Sequence, residues 1–109
     1  MKATQILVWL RRDFHRYAGD DHIEILESSE NKVRIKIYSD VNQYSITAAV
    51  DEDGDYLSAT GSSRKPRAGE HHTRGSDLHY GTLSEDTWRQ IKNDIISYEL
   101  VRIRKRIPR

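Results

Sequence analysis

The sequence predicts an α+β two-layer sandwich: an antiparallel four-stranded meander with one helix before it and one after it, in the order α-β-β-β-β-α. Three observations carry that expectation. Apolar and polar residues alternate in KVRIKIY (32–38) and QYSITAAV (43–50), the period of a strand that is dry on one face and wet on the other. Asp53-Gly54, just after the second run, is a strong short-range hairpin signal. Near both ends of the chain the apolar residues recur every three or four positions instead, the period of an amphipathic helix.

The first helix is expected over Thr4 to Tyr17. Leu7, Leu10, Phe14 and Tyr17 form its apolar stripe, Ile6 and Trp9 widen it, and Arg11, Arg12 and His15 fall between. Thr4 is the candidate N-cap, and Ala18-Gly19-Asp20 supplies a stop with glycine free to take the left-handed conformation. The first strand is HIEILES (22–28), with Ile23 and Ile25 on one face. The second puts Val33, Ile35 and Ile37 inward and Arg34, Lys36 and Tyr38 outward. The third puts Tyr44, Ile46, Ala48 and Val50 inward, and a fourth follows at roughly 55–61. SSEN and SDVN are short turn-rich connections, so neighbouring strands run antiparallel. The last helix opens at Ser84 as N-cap, with Glu85 and Asp86 at the positive end of its dipole and Leu83 with Trp88 at staple spacing. Trp88, Ile91, Ile95 and Tyr98 mark its buried face, widened by Ile96 and Leu100, and the helix is expected to fade near Arg102 or Ile103.

Composition narrows the function classes. The 109 residues suit one α+β domain, 1–109, with 36% hydrophobic and 32% charged residues. There is no cysteine, which excludes disulfides, thiolate metal sites and thiol nucleophiles. The longest apolar run, Ile6 to Leu10, is too short for a signal-peptide core or a bilayer span, so a cytoplasmic chain without membrane contact is expected. The net charge is +1, but it is unevenly spread. Residues 1–63 hold 7 Lys+Arg against 11 Asp+Glu, a net −4, and residues 76–100 hold 2 against 5, a net −3. Residues 64–75 hold 4 against 1, a net +3, and residues 101–109 hold 5 against none, a net +5. Two basic blocks thus ride on an acidic body, and such asymmetry bears on partners more than the mean does.

The first block lies in a long polar loop, 61–82, and the second in a basic C-terminal tail, 102–109. Only Ala68, Leu78 and Tyr80 in that loop could bury useful surface, Gly61, Gly69, Gly75 and Gly81 punctuate it, and Pro66 disfavours helix at Lys65. Loops of this length inside a compact domain are uncommon unless they bind something or are disordered. Arginine forks match phosphate oxygens, and glycines let backbone N–H groups approach them. Arg64, Lys65, Arg67 and Arg74, helped by Arg104, Lys105 and Arg106, are therefore the expected anion-binding residues, with nucleic acid or another polyanion as partner. No phosphate-loop, RNA-recognition or zinc-finger motif accompanies them.

Two other readings use the same segment. Glu70, His71, His72, Asp77 and His79 are potential metal ligands, but their spacing matches no known coordination pattern, so neither a metal nor a cofactor is expected. His71, His72 or His79 could move protons while Arg67 or Arg74 stabilises charge in phosphodiester cleavage. Arg67-x4-His72 resembles the Arg-x4–6-His arrangement of helical HEPN nucleases; it departs from it because Gly69 interrupts the pair and the surroundings are not helical. No catalytic residue is assigned on that basis. The remaining alternative is an adaptor or inhibitor module that meets a protein partner through the wet sheet face or an exposed part of Trp9 or Trp88.

Overall fold

A computed structural model describes residues 1–14, 22–39, 42–63 and 76–106, with the side chains of Ser63, Ser76 and 100–106 left aside. The element order is α1 (Gln5–Asp13), β1 (Ile23–Ser28), β2 (Lys32–Tyr38), β3 (Asn42–Asp51), β4 (Gly54–Ser63), β5 (Ser76–Gly81) and α2 (Glu85–Arg106). The fold is α+β, as the sequence predicts, with two helices and one fully antiparallel sheet among the described residues. The sheet has five strands in chain order rather than four.

The central strands follow their alternation. Val33, Ile35, Ile37, Tyr44, Ile46 and Ala48 are buried, and Leu57 and Ala59 continue that face onto β4. Ile35 sits opposite Ile46, and Ile46 opposite Ala59, so one apolar row crosses three strands. Ile6, Trp9, Leu10 and Phe14 from α1, and Trp88, Ile91 and Ile95 from α2, close over it in one cluster. Each such side chain contributes about 1.5–3 kcal/mol of transfer free energy. The β3–β4 turn is centred one residue earlier than Asp53-Gly54 suggests. Asp51 pairs with Gly54, so Glu52 and Asp53 form the tip. Among the described residues no non-glycine has positive φ, and Gly54 alone takes φ 133°, which a β-carbon would strain. The Asp51 carboxylate accepts from the Asp53 N–H at 2.9 Å and tightens the turn.

The α2 start is as expected. Ser84 Oγ accepts from the Thr87 N–H at 3.3 Å, and Leu83 and Trp88 are both buried. The other end differs: α2 does not fade near Arg102 but continues to Arg106. Arginine and lysine are good helix formers, and no helix breaker occurs before Pro108. Most of the expected tail, 102–109, is therefore backbone of a helix. Ile96 does not widen the buried face; it is 50% exposed.

α1 is shorter than Thr4 to Tyr17 and is rotated. Ile6, Trp9, Leu10 and Phe14 are buried, while Leu7 packs only partly against the core. Thr4 makes no side-chain cap bond. The start is held instead by turn bonds to the Lys2 and Ala3 carbonyls, and by the Ala3 N–H donating to the Glu30 carbonyl at 3.0 Å. Its end is fixed by α2. Trp88 Nε1 donates to the Asp13 carboxylate at 2.6 Å, and the Phe14 ring meets the Trp88 ring edge-on at 5.8 Å. The expected stop at Gly19 and the role of Tyr17 lie outside the described residues.

On β1, Ile23 packs against the core but Ile25 is 51% exposed. Ile25 stays in register with Ile35, on the same face as Ile23, but β1 is an edge strand, and its pairing slips only beyond Ile25, at a bulge between Ile25 and Glu27. The expected loop 61–82 is also shorter. Residues 61–63 complete β4 and 76–81 form β5, which leaves 64–75 as the connection. Gly61 reads as a chain break but serves a close approach. A β-carbon there would meet Tyr98 Cε1 at 3.1 Å and Tyr44 Cδ1 at 3.2 Å.

Candidate functional site

β4 ends, β5 begins and the late turns of α2 pass at one end of the sheet. β4 gives up the chain at Ser63, opposite Asn42, and β5 takes it back at Ser76, opposite Gly61. α2 passes the same end, because the Tyr98 ring lies over Gly61 and Glu99 reaches Asn42. From Glu99 the helix runs on to Arg106, about 10 Å farther at its rise per residue. The backbone positions of Arg102, Arg104, Lys105 and Arg106 occupy those last turns. Arg64, Lys65, Arg67 and Arg74, with His71 and His72, lie outside the described residues.

A buried polar knot fixes that end. Asn42 is fully buried, and its Nδ2 donates to Glu99 Oε2 at 2.8 Å and to the Tyr44 hydroxyl at 3.2 Å. The Tyr44 hydroxyl in turn donates to Glu99 Oε2. Burial, and then the neighbouring Glu99 carboxylate, push the Tyr44 pKa up, so the phenol keeps its proton and is no general base near neutral pH. Asn42 Oδ1 finds no partner among the described residues. The knot ties the late turns of α2 to the first residue of β3. It positions the helix against the end of the sheet.

The uncovered face of the sheet is polar and carries its own pattern. The register lines up Glu27, Arg34, Thr47, Ser58 and Tyr80 in one row. Glu24, Lys36, Ser45, Thr60 and Asp77 form the next. Between Ala59 and Thr60 the pairing slips by one residue on β5, so Leu78 and His79 both turn to the helix side. Leu78 packs against the core, and His79 Nδ1 lies 3.6 Å from Asp94 on α2. Asp77 and Tyr80 are left on the open face. Asp77 and His79, both potential ligands by sequence, thus face opposite sides of β5. Tyr80, which the sequence offers as a residue to bury, is 71% exposed. Its ring stacks on Tyr56 at 5.4 Å and 22°, a diagonal cross-strand pair. A cavity of about 390 Å³ lies beside it, lined by Ser58, Thr60, Asp77 and Tyr80 together with Ala59, Leu78 and His79. No motif marks these residues, and only the register places them together.

These features define a small α+β domain whose helices cover one sheet face and, among the described residues, leave the other open. Among the described residues no helix is long and apolar enough to cross a membrane. No protein-family model, curated protein or solved structure matches the chain.

Proposed function

We propose that the protein binds nucleic acid or a similar polyanion at the end of the sheet where the β4–β5 connection and the last turns of α2 leave it. The supporting observation is the shared exit of the two segments that carry the +3 and +5 blocks from a body that is otherwise −7. In this reading Arg64, Lys65, Arg67 and Arg74 of the connection act with Arg104, Lys105 and Arg106 of α2 as one phosphate-binding surface. The acidic remainder of the chain orients it by repelling the polyanion elsewhere.

The test is a salt titration of single-stranded and duplex RNA and DNA against the wild-type chain, Arg64→Glu/Arg67→Glu and Arg104→Glu/Arg106→Glu. Affinity is expected to fall steeply with salt as condensed counterions are released. Both reversals should weaken binding to different sequences about equally, since phosphate contacts position without specifying. Absence of wild-type binding at low salt would overturn the proposal. An adaptor role then stands first, though not through Trp9 or Trp88, which are both buried; Ile25 and Leu26, 51% and 41% exposed on the edge strand β1, support it instead.

A further inference from the structure

We infer that the open face of β4 and β5 holds a nucleobase subsite, in which an unpaired guanine stacks on Tyr80 and presents its N1–H and N2–H donors to the Asp77 carboxylate. The inference rests on the polyanion reading and narrows it from phosphate binding to single strands with an exposed base.

The cavity beside Tyr80 has the parts that base recognition needs. Tyr80, a residue 71% exposed, supplies a ring that is braced from one side by Tyr56, so the platform is held in place before a ligand arrives. Aromatic rings exposed on an antiparallel sheet stack bases without sequence preference, because every base has a π-face. Preference must come from the polar rim. Tyr80 stands opposite Ser58 and Asp77 opposite Thr60, two residues apart on β4, or about 7 Å. A base stacked on the ring therefore turns one edge toward the carboxylate. Ionised carboxylate is acceptor-only and accepts bidentately. Guanine alone among the four bases offers two adjacent donors on its pairing edge; adenine and cytosine offer one amino group beside an acceptor. The Ser58 and Thr60 hydroxyls both donate and accept, so they complete the rim without a choice of base.

Charge sets the path of the strand. A carboxylate at the cavity repels phosphate, so the base enters and the backbone stays outside. Ser76, where the connection 64–75 joins β5, immediately precedes Asp77. The other way across the sheet, the hydroxyls of Thr47 and Ser45 lead to Arg34 and Lys36 on β2, three strand spacings or about 14 Å from Tyr80. Glu24 and Glu27 lie beyond those cations on β1 and close the path on that side. A duplex cannot use the subsite, because its pairing edges are occupied.

The experiment measures anisotropy of labelled single-stranded 12-mers, guanine-rich and adenine-rich, and of a matched duplex. It compares the wild type with Tyr80→Ala, Tyr80→Phe, Asp77→Asn and Arg104→Glu/Arg106→Glu. Tyr80→Ala should weaken single strands by about 5- to 150-fold, the loss of one base stack, and leave the salt slope and duplex affinity unchanged. Tyr80→Phe should bind as wild type, and Asp77→Asn should erase the guanine preference. As a check that does not depend on a variant folding, a guanine-containing trinucleotide should shift the Tyr80 ring protons of the wild-type chain upfield. The inference is wrong if Tyr80→Ala binds single strands within twofold of wild type, or if the ring protons do not move, while Arg104→Glu/Arg106→Glu still loses binding; the polyanion reading then survives alone. Wild-type protein that binds no nucleic acid at low salt removes both.

Discussion

Replacing Tyr44 by Phe isolates the polar knot at the end of the core. Tyr44 is 2% exposed, and its ring meets Tyr98 edge-on at 6.0 Å and 77°. Phenylalanine keeps that packing and removes only the hydroxyl. The bond to Glu99 and the longer 3.2 Å bond from Asn42 are lost, while Asn42 keeps its own 2.8 Å bond to the same carboxylate oxygen. A hydrogen bond to a charged group contributes about 1.5–3 kcal/mol, so the variant should be less stable by about 2 kcal/mol at neutral pH. The pH dependence gives a second, independent signature. Burial and Glu99 hold the Tyr44 pKa above its ordinary 10.0, so the stabilisation is fully present below that value and declines as pH rises past it. The unfolded phenol then ionises while the folded one does not, and wild type loses about 1.4 kcal/mol per pH unit relative to Tyr44→Phe. The two stabilities should meet near pH 11.5. Urea unfolding followed by tryptophan fluorescence reads this directly, because Trp9 and Trp88 are buried and stacked at 6.2 Å. A difference below about 0.5 kcal/mol at pH 7, or one that stays constant to pH 11.5, would refute the geometry.

Three further outcomes are expected. Asp13→Ala should cost about 1–3 kcal/mol at neutral pH by orphaning the Trp88 indole N–H. Arg12 first, then Trp88 and Lys92, hold the Asp13 pKa below its usual 3.8, so this cost is present above that value and shrinks as pH falls through the lowered pKa; acid melts of both proteins check it. Ile46→Ala should cost about 2–5 kcal/mol in urea unfolding, whereas Ile25→Ala on the outermost strand should cost under about 1 kcal/mol. Gly54→Ala should lower stability by about 1 kcal/mol or more through backbone strain at φ 133°, with no lost contact, since nothing lies within 4 Å of the added carbon.

The alternation in β2 and β3 was legible because both strands are covered on one face along their whole length. Ser84, Leu83 and Trp88 gave the start of α2 through local cap chemistry alone. Strand β5 escaped for a physical reason. Its bulge turns Leu78 and His79 to the same side, so SDLHYG carries no period of 2. The buried face of α1 takes in Ile6 and Trp9 with Leu10 and Phe14 and leaves Leu7 at its margin; Ile6, Leu7, Trp9 and Leu10 are all apolar, so only tertiary packing, such as Trp9 on Trp88, selects among them. Gly61 looked like a boundary because a sequence does not show that Tyr44 and Tyr98 press on that point. The charge asymmetry behind the proposed polyanion site was visible in full. The convergence of its exits was not, since it depends on Glu99 meeting a residue 57 positions away. Asp77 reads in the sequence only as a potential ligand and Tyr80 only as a residue to bury, and nothing there pairs the two.

The sheet is assembled in chain order, and every strand bonds only to its sequence neighbours. Each hydrogen-bonded ladder can therefore open from an edge without disturbing the next. β1 has one partner strand, a bulge, and only Ile23 against the core. It can detach while β2 to β5 and both helices stay packed. Amide exchange should accordingly run from fast at β1 to slow at Ile46, where the ladders on both sides and the helices above must all part before a proton is released.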